Sequence, residues 1–278
     1  MSSTISTFFA ERTIDKREVE MILAHVLATT RAYVIAHHER TLDEPEAGLV
    51  HSLIARRAAG EPMAYLLGAR EFYGRDFQVS PATLIPRPET ELLVEQALVR
   101  LAEPQWLKHR ASASVLDLGT GSGAIAISLA LARDGVAVTA TDLSPDALQI
   151  ARRNARKLGA TVEFIAGSWY AGLKDRKFDL IVSNPPYVAG NDIHLSQGDL
   201  RFEPQTALTD ASTDGLASIR SIVAGAPAHL TPGGWLLFEH GYDQAGPARE
   251  LLLKAGFNNL ICIRDLAGID RVAGGQTR

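Results

Sequence analysis

The chain has 278 residues, of which 46% are hydrophobic and 22% charged, the balance of an ordinary globular protein. That balance excludes disordered, collagen-like and coiled-coil architectures. With 28 Lys and Arg against 32 Asp and Glu the formal charge is -4, so the basic excess typical of proteins that grip duplex nucleic acid is missing, leaving a local basic patch for any such role.

The single cysteine, Cys262, rules out an intrachain disulfide framework and a multi-cysteine zinc site, and fits a reducing compartment. It is expected to be a buried, small apolar residue. Residues 1–10 lack the basic and apolar regions of a signal peptide, and the longest near-apolar run, 124–132, is too short to span a bilayer. A cytoplasmic protein without membrane association is expected.

In chain order, the first part is helical from Ile5 to about Leu67. Val19, Ile22, Leu23, Val26 and Leu27 fall on one helical stripe, with Asp15 as cap and Glu18 in the reciprocal capping position. A second helix carries Leu49, Leu53 and Ile54 in phase, places Arg56 and Arg57 at its carboxyl end, and stops at Gly60-Glu61-Pro62. This gives a helical domain over 1–70. Next, Phe72 to Phe77 reads as a hairpin, and Pro81, Pro86 and Pro88 prevent a through-running helix, so 71–88 is the junction.

The third part, 89–278, opens with a helix over about 89–101. Strands then follow at 114–118, 137–142, 161–166, 178–183 and 234–239, alternating with helices, the pattern of an α/β doubly wound parallel sheet. Stretches 260–265 and 271–274 are too close for a crossover helix and form an antiparallel hairpin at one sheet edge.

Between the first strand and the helix near Ala124 lie Gly119, Thr120, Gly121, Ser122 and Gly123. Glycines here let a nucleotide-type ligand approach the backbone. No lysine follows, so the loop is not a phosphate-binding Walker loop. It satisfies the looser dinucleotide pattern, which leaves a nicotinamide dehydrogenase open. Asp142, at the end of the second strand, suits the ribose hydroxyls of an adenosine in either cofactor. Asp117, at the mouth of the loop, would repel a pyrophosphate and suit the cationic methionine end of S-adenosylmethionine.

The strand at 178–183 runs into Asn184-Pro185-Pro186-Tyr187. Ligands of open parallel sheets sit beyond the carboxyl ends of the strands, so this tetrapeptide faces the same crevice as the glycine loop. Two prolines remove two donors and leave a stiff segment rich in acceptors. The Asn184 oxygen and the Pro185 carbonyl can accept both hydrogens of a planar NH2 group while Tyr187 packs on its face, turning a weakly nucleophilic nitrogen toward a sulfonium methyl. A strand merely stopped by prolines is the plainer alternative.

Taken together, these segments resemble the HemK/PrmC protein-glutamine N5-methyltransferases, which methylate the glutamine of the Gly-Gly-Gln motif in peptide-chain release factors. The resemblance covers nearly the whole chain and rests on the helical first part, Leu84-Ile85-Pro86-Arg87-Pro88-Glu89-Thr90-Glu91, the glycine loop, Asn184 to Tyr187 and Arg201-Phe202-Glu203-Pro204. It implies a methyltransferase acting in translation termination, with S-adenosyl-L-methionine as cofactor and release factors as partners. It further implies that Asp117, Gly119, Thr120, Gly121, Ser122, Gly123, Asp142, Trp169 and Asn184 bind the cofactor, with Trp169 beside the adenine. Asn184, Pro185, Pro186 and Tyr187 would bind the substrate glutamine, Asn184 and Pro185 acting catalytically. Arg87 and Glu89 either shape the glutamine pocket or tie the two parts together, and Glu203 either orients a loop or forms a surface salt bridge.

The competing function is a DNA or RNA amino-methyltransferase acting on adenine N6 or guanine N2, which shares Asn-Pro-Pro-Tyr but needs a basic groove. A cofactor-sensing module is a third class. A monomer without stable nucleic-acid binding is expected, and the eight histidines show no metal-ligand spacing. Near its end the chain itself carries Gly274-Gly275-Gln276, expected as a chance match or a flexible end after the last strand, with self-methylation or pocket occlusion as the alternative.

Overall fold

The computed structural model describes residues 3–11, 13–102 and 112–278. They cluster into two compact units, Met1–Ala69 with Gln197–Phe202, and Arg70–Ser196 with Glu203–Arg278.

The first unit contains α1 (Ile5–Ala10), α2 (Lys16–Val26), α3 (Arg31–Ala36), α4 (Glu44–Ala58) and α5 (Met63–Leu67). Their inward faces bury Ile5, Phe8, Ile22, Leu23, Val34 and Val50 in one core. Asp15 caps α2, its carboxylate accepting from Arg17 N at 2.7 Å. Glu18 does not complete the expected capping box. It accepts instead from Arg57 Nε at 2.9 Å, because a guanidinium is a stronger donor than a backbone amide. Leu49 is also exposed, contrary to expectation. Val50 lies three and four residues before Leu53 and Ile54, the spacing that shares a helix face, and takes the inward place. Gln197–Phe202 is tied to this unit by Arg57 Nη1 donating to Asp199 at 3.2 Å and by Arg201 donating to the Ala59 carbonyl.

The second unit begins with the hairpin of β1 (Ala69–Phe72) and β2 (Arg75–Gln78). Its main sheet contains β3 (Ala113–Leu118), β4 (Val136–Asp142), β5 (Val162–Ala166), β6 (Phe178–Ser183), β7 (Leu230–Glu239), β8 (Asn258–Arg264) and β9 (Asp270–Gln276), in the order β5-β4-β3-β6-β7-β9-β8. The first five are parallel, and β9 runs antiparallel to β7 and β8. This is the doubly wound parallel sheet with an antiparallel hairpin at one edge that the sequence pattern predicts.

Alternate residues serve opposite faces. Val115, Leu180, Val182 and Leu237 join one core with α6 (Glu91–Leu101) and α7 (Ala124–Ala132). Leu116, Ile181, Leu236 and Phe238 join another with α10 (Ala217–His229) and α11 (Ala245–Lys254), the later helices after α8 (Pro145–Leu158) and α9 (Gln205–Leu208). Burial on both faces explains why these strands read as apolar runs rather than alternating ones.

Register positions the site. Leu118 pairs with Thr141 on one side and Ser183 on the other, and Ser183 pairs with Phe238. The next residue of each strand, Asp142, Gly119, Asn184 and Glu239, therefore falls in one row at the carboxyl ends. The chain order reverses between β3 and β6, where open α/β sheets hold ligands.

Two further expectations need correction. Cys262 is exposed, because it lies on the outermost strand, β8, with its side chain turned away from the sheet neighbours of Ile261 and Ile263. Gly274-Gly275-Gln276 is not a flexible end but part of β9. A Cβ on Gly274 would come within 2.5 Å of the Leu236 carbonyl oxygen, and one on Gly275 within 2.7 Å of Leu260 Cδ2, so close packing requires both glycines. Gln276 donates from Nε2 to the Gly233 carbonyl at 2.9 Å and accepts from Asn259 Nδ2 at 2.7 Å.

Candidate active site

A cavity of about 730 Å³ opens at the carboxyl ends of β3, β4 and β6, within the size range of pockets for small ligands. Gly119, Thr120, Gly121, Ser122, Asp142, Trp169, Asn184 and Pro186 line it. Among the described residues its wall does not include Asp117, Gly123, Pro185 or Tyr187.

The glycine loop is set by backbone geometry. Gly121 has φ +57°, and a Cβ there would meet no protein atom within 4 Å, so a side chain would take open space at the cavity wall. Gly123, at φ +84°, has a different reason: a Cβ would lie 2.8 Å from Ile127 Cδ1 and 3.2 Å from Ala151 Cβ, blocking the packing of α7 against α8. Gly119 N and Thr120 N both donate to the Thr141 carbonyl, at 2.9 and 3.0 Å.

Asp142 accepts from Gly121 N and from Ser144 N, each at 2.8 Å, one on each carboxylate oxygen. A carboxylate oxygen takes two hydrogen bonds, so each keeps capacity toward the cavity. Burial pushes the Asp142 carboxyl above its ordinary value, opposed by the Ser144 and Gly121 amides. Leu143 follows it, 72% exposed and on the cavity wall, an apolar surface for a flat ring.

Asp117 lies beneath the loop rather than at its mouth. It is fully buried and accepts from Thr120 Oγ1 at 2.6 Å. Burial pushes its carboxyl up to about 7, against the pull of the Thr120 hydroxyl and the Ala126 amide. Trp169 stands in the wall with φ +48°, a strained conformation for a bulky residue, and its ring lies 3.5 Å from where a Gly119 Cβ would be. Thr141 Oγ1 donates to the Trp169 carbonyl at 3.1 Å and fixes that bend.

At the end of β6, Asn184 Nδ2 donates to Thr90 Oγ1 at 3.0 Å. Thr90 Oγ1 donates onward to Glu239 Oε2 at 2.7 Å, and the Tyr187 hydroxyl donates to Glu239 Oε1 at 3.0 Å. Tyr187 is thus anchored by its hydroxyl, and its carbonyl accepts from Gln244 Nε2 at 3.0 Å. Burial and the Glu239 charge push the phenol well above the ordinary tyrosine range. Pro185 is buried. No hydrogen bond occupies Asn184 Oδ1 among the described residues.

Arg87 is also on the wall and pairs with Glu203, whose second oxygen accepts from Ile85 N at 3.0 Å. The Glu203 side chain is 0% exposed, so this is a buried clamp on the 85–87 segment and not a surface salt bridge. Glu89 is exposed.

Three contributors escaped the sequence reading. Glu239 carries the same signal as Asp142, an acid ending an apolar strand. Thr90 sits within the quoted proline-arginine segment. Asn154, fully buried, donates to the Ser122 carbonyl at 2.8 Å and to Gln78 O at 3.0 Å, and accepts from Gln78 N at 2.7 Å. It ties hairpin strand β2 to the glycine loop, and nothing local announces it.

Comparison with known proteins bears on this arrangement. The PrmC N-terminal domain family matches residues 3–68, and the Methyltransferase small domain family matches residues 97–201. Release factor glutamine methyltransferase of Bordetella pertussis is 52% identical, covering 98% of both chains. The chain belongs to the release factor glutamine methyltransferases. The Neisseria gonorrhoeae member is 49% identical, with 95% of this chain and 94% of that one covered. Among solved structures, the release factor-specific protein-(glutamine-N5) methyltransferase of Alicyclobacillus acidocaldarius is 33% identical over 73% of this chain and 99% of that one, with a TM-score of 0.43. The hMettl16 catalytic domain bound to an RNA hairpin, 16% identical at a TM-score of 0.57, covers 86% of this chain and 84% of that one and shares the fold.

Proposed function

We propose that the protein transfers a methyl group from S-adenosylmethionine to the side-chain amide nitrogen, N5, of the glutamine in the Gly-Gly-Gln motif of peptide-chain release factors. The observation that carries this reading is the Asn184 carboxamide, whose nitrogen is engaged by Thr90 and whose oxygen is left to accept, on one cavity wall with a glycine cradle. The residues fit the cofactor: Gly121 leaves room a side chain would fill, Asp142 keeps acceptor capacity for ribose hydroxyls, and Leu143 and Trp169 offer apolar faces for adenine. The cofactor supplies an electrophilic methyl on a sulfonium.

The protein's own part is positioning. An amide nitrogen is a poor nucleophile because its lone pair is delocalised into the carbonyl. Asn184 Oδ1 accepts one of its hydrogens and so holds the nitrogen in place, and acceptors hold positive charge as it develops there. The Pro185 carbonyl takes the second hydrogen in this reading. Proton loss from the product then goes to water. The first unit recognises the protein substrate, and the enzyme acts as a cytoplasmic monomer in translation termination without stable nucleic-acid binding. Among the described residues no helix is long and apolar enough to cross a membrane.

The test is incubation with methyl-labelled S-adenosylmethionine and a release factor, beside the same factor with its Gly-Gly-Gln glutamine changed to alanine. Label in the unchanged factor alone is expected. Label on supplied DNA or RNA instead would move the site to the amino-methyltransferase reading.

A further inference from the structure

The geometry points to Glu239 as the positioning residue that decides which way Asn184 presents its carboxamide. This rests on the reading of Asn184 as the acceptor for the substrate amide.

A carboxamide rotated by half a turn looks alike in shape and opposite in chemistry, offering NH2 where it offered oxygen. Something must choose between the two. Asn184 touches Thr90, but a threonine hydroxyl can donate or accept and cannot choose alone. Glu239 removes the ambiguity. An ionised carboxylate only accepts, so Thr90 must aim its one proton at Glu239 Oε2, at 2.7 Å. Only lone pairs then face Asn184, which must turn its NH2 to Thr90, as the 3.0 Å contact has it. The oxygen is thereby directed away. The second carboxylate oxygen does the same for Tyr187, taking its hydroxyl proton at 3.0 Å. One side chain thus fixes both ends of the Asn-Pro-Pro-Tyr segment.

Two further observations favour this role. Glu239 follows Phe238, the register partner of Ser183, so β7 delivers it level with Asn184 by strand pairing alone. It is also 1% exposed. A buried carboxylate is an expensive way to fill space, and a neutral side chain of similar volume would serve the fold as well or better. Burial pushes the Glu239 carboxyl above its ordinary value, opposed by the hydrogen bonds from Thr90 and Tyr187 and by the charge of Arg271, and the ionised form that these bonds favour is the pure acceptor the arrangement needs.

Glu239→Gln keeps the shape and removes that property, since a carboxamide can take only one of the two hydroxyl protons and must donate to the other. The expected result with a release factor as substrate is a fall in kcat of roughly tenfold or more. The calorimetric Kd for S-adenosylmethionine should move less than about threefold, and the KM for the factor should change by a smaller factor than kcat, because the direction of the Asn184 oxygen matters most for the orientation of the reacting nitrogen. The effect should travel through Thr90. In a Thr90→Val background, Glu239→Gln is expected to add less than about twofold, and Thr90→Ser should retain most of the rate that Thr90→Val loses. An unchanged kcat in Glu239→Gln, or the same fold loss with and without the Thr90 hydroxyl, overturns the proposal. Should Glu239→Gln not fold, the Ser and Val variants at position 90 decide it, and equal rates in those two overturn it. Asn184→Ala separates the premise: full activity there removes the acceptor reading itself, whereas its loss beside a fully active Glu239→Gln removes only the role of Glu239.

Discussion

The ends of β3 and β6 lie side by side and are held in unlike ways. At β3 the loop is shaped by backbone: positive φ at Gly121 and Gly123, and two amides on the Thr141 carbonyl. At β6 the working group is a side chain, and its direction comes from Thr90 and Glu239. A backbone site tolerates change in its surroundings so long as the chain can take the conformation. A side-chain site fails when a partner two hydrogen bonds away changes character, even though the fold is intact.

Predictions that break or sharpen this contrast begin with the largest effect. Asn184→Ala should lower methyl transfer by about a hundredfold or more, with the calorimetric Kd for S-adenosylmethionine little changed, which would mark the β6 end as chemical and not structural. Gly123→Ala should do the reverse. Its Cβ meets Ile127 and Ala151 at a left-handed φ, so a stability loss on the order of 2–4 kcal/mol is expected in denaturant melts. Gly121→Ala, with open space around it, should cost only about 1 kcal/mol of stability while weakening cofactor binding, so the pair distinguishes fold from ligand in one loop. Asn154→Ala removes the three hydrogen bonds that tie β2 and the glycine loop to α8 and should cost about 2–3 kcal/mol, read in the same melts.

A further effect is one of pH. The folded Asp117 carboxyl is pushed up to about 7, above its ordinary value, so between pH 4 and 7 the unfolded chain sheds a proton that the folded one retains. The cofactor-free protein therefore loses stability as pH rises through that window and levels off above it. Asp117→Asn should flatten this slope and gain on the order of 1–2 kcal/mol relative to the parent between pH 5 and 8. An unaltered slope in pH-dependent melts would mean that Asp117 is ionised in the fold.

How much of this could be read from the sequence follows the same division. The sheet was legible because its strands are apolar runs punctuated by glycine and proline, and the glycine loop because its residues are consecutive. The Asn-Pro-Pro-Tyr segment was legible as a string of acceptors, but not what aims it. Asn184 and Thr90 are 94 residues apart, and Thr90 and Glu239 are 149 apart. Strand register brings Glu239 level with Asn184, and the turn that leads into α6 brings Thr90 between them. The misreadings at Glu18, Leu49 and Cys262 share that cause: helix capping competes with a distant arginine, a stripe shifts by one residue to meet another helix, and a strand faces outward because it is last in the sheet. Asp117 went the same way, since a charge at the end of a strand can sit under a loop as readily as in front of it.

The chain's own Gly-Gly-Gln has a consequence for quality control. Gln276 sits in β9, sandwiched between β7 and β8, with its carboxamide tied at both ends. It pairs with Trp235, at the opposite end of β7 from Glu239, so freeing it means peeling the last residues of β9 away from β7 and β8. A folded copy could still act on an unfolded one. Methyl on Gln276, sought by mass spectrometry in heat-stressed preparations, would then report that this strand end had come away from the sheet.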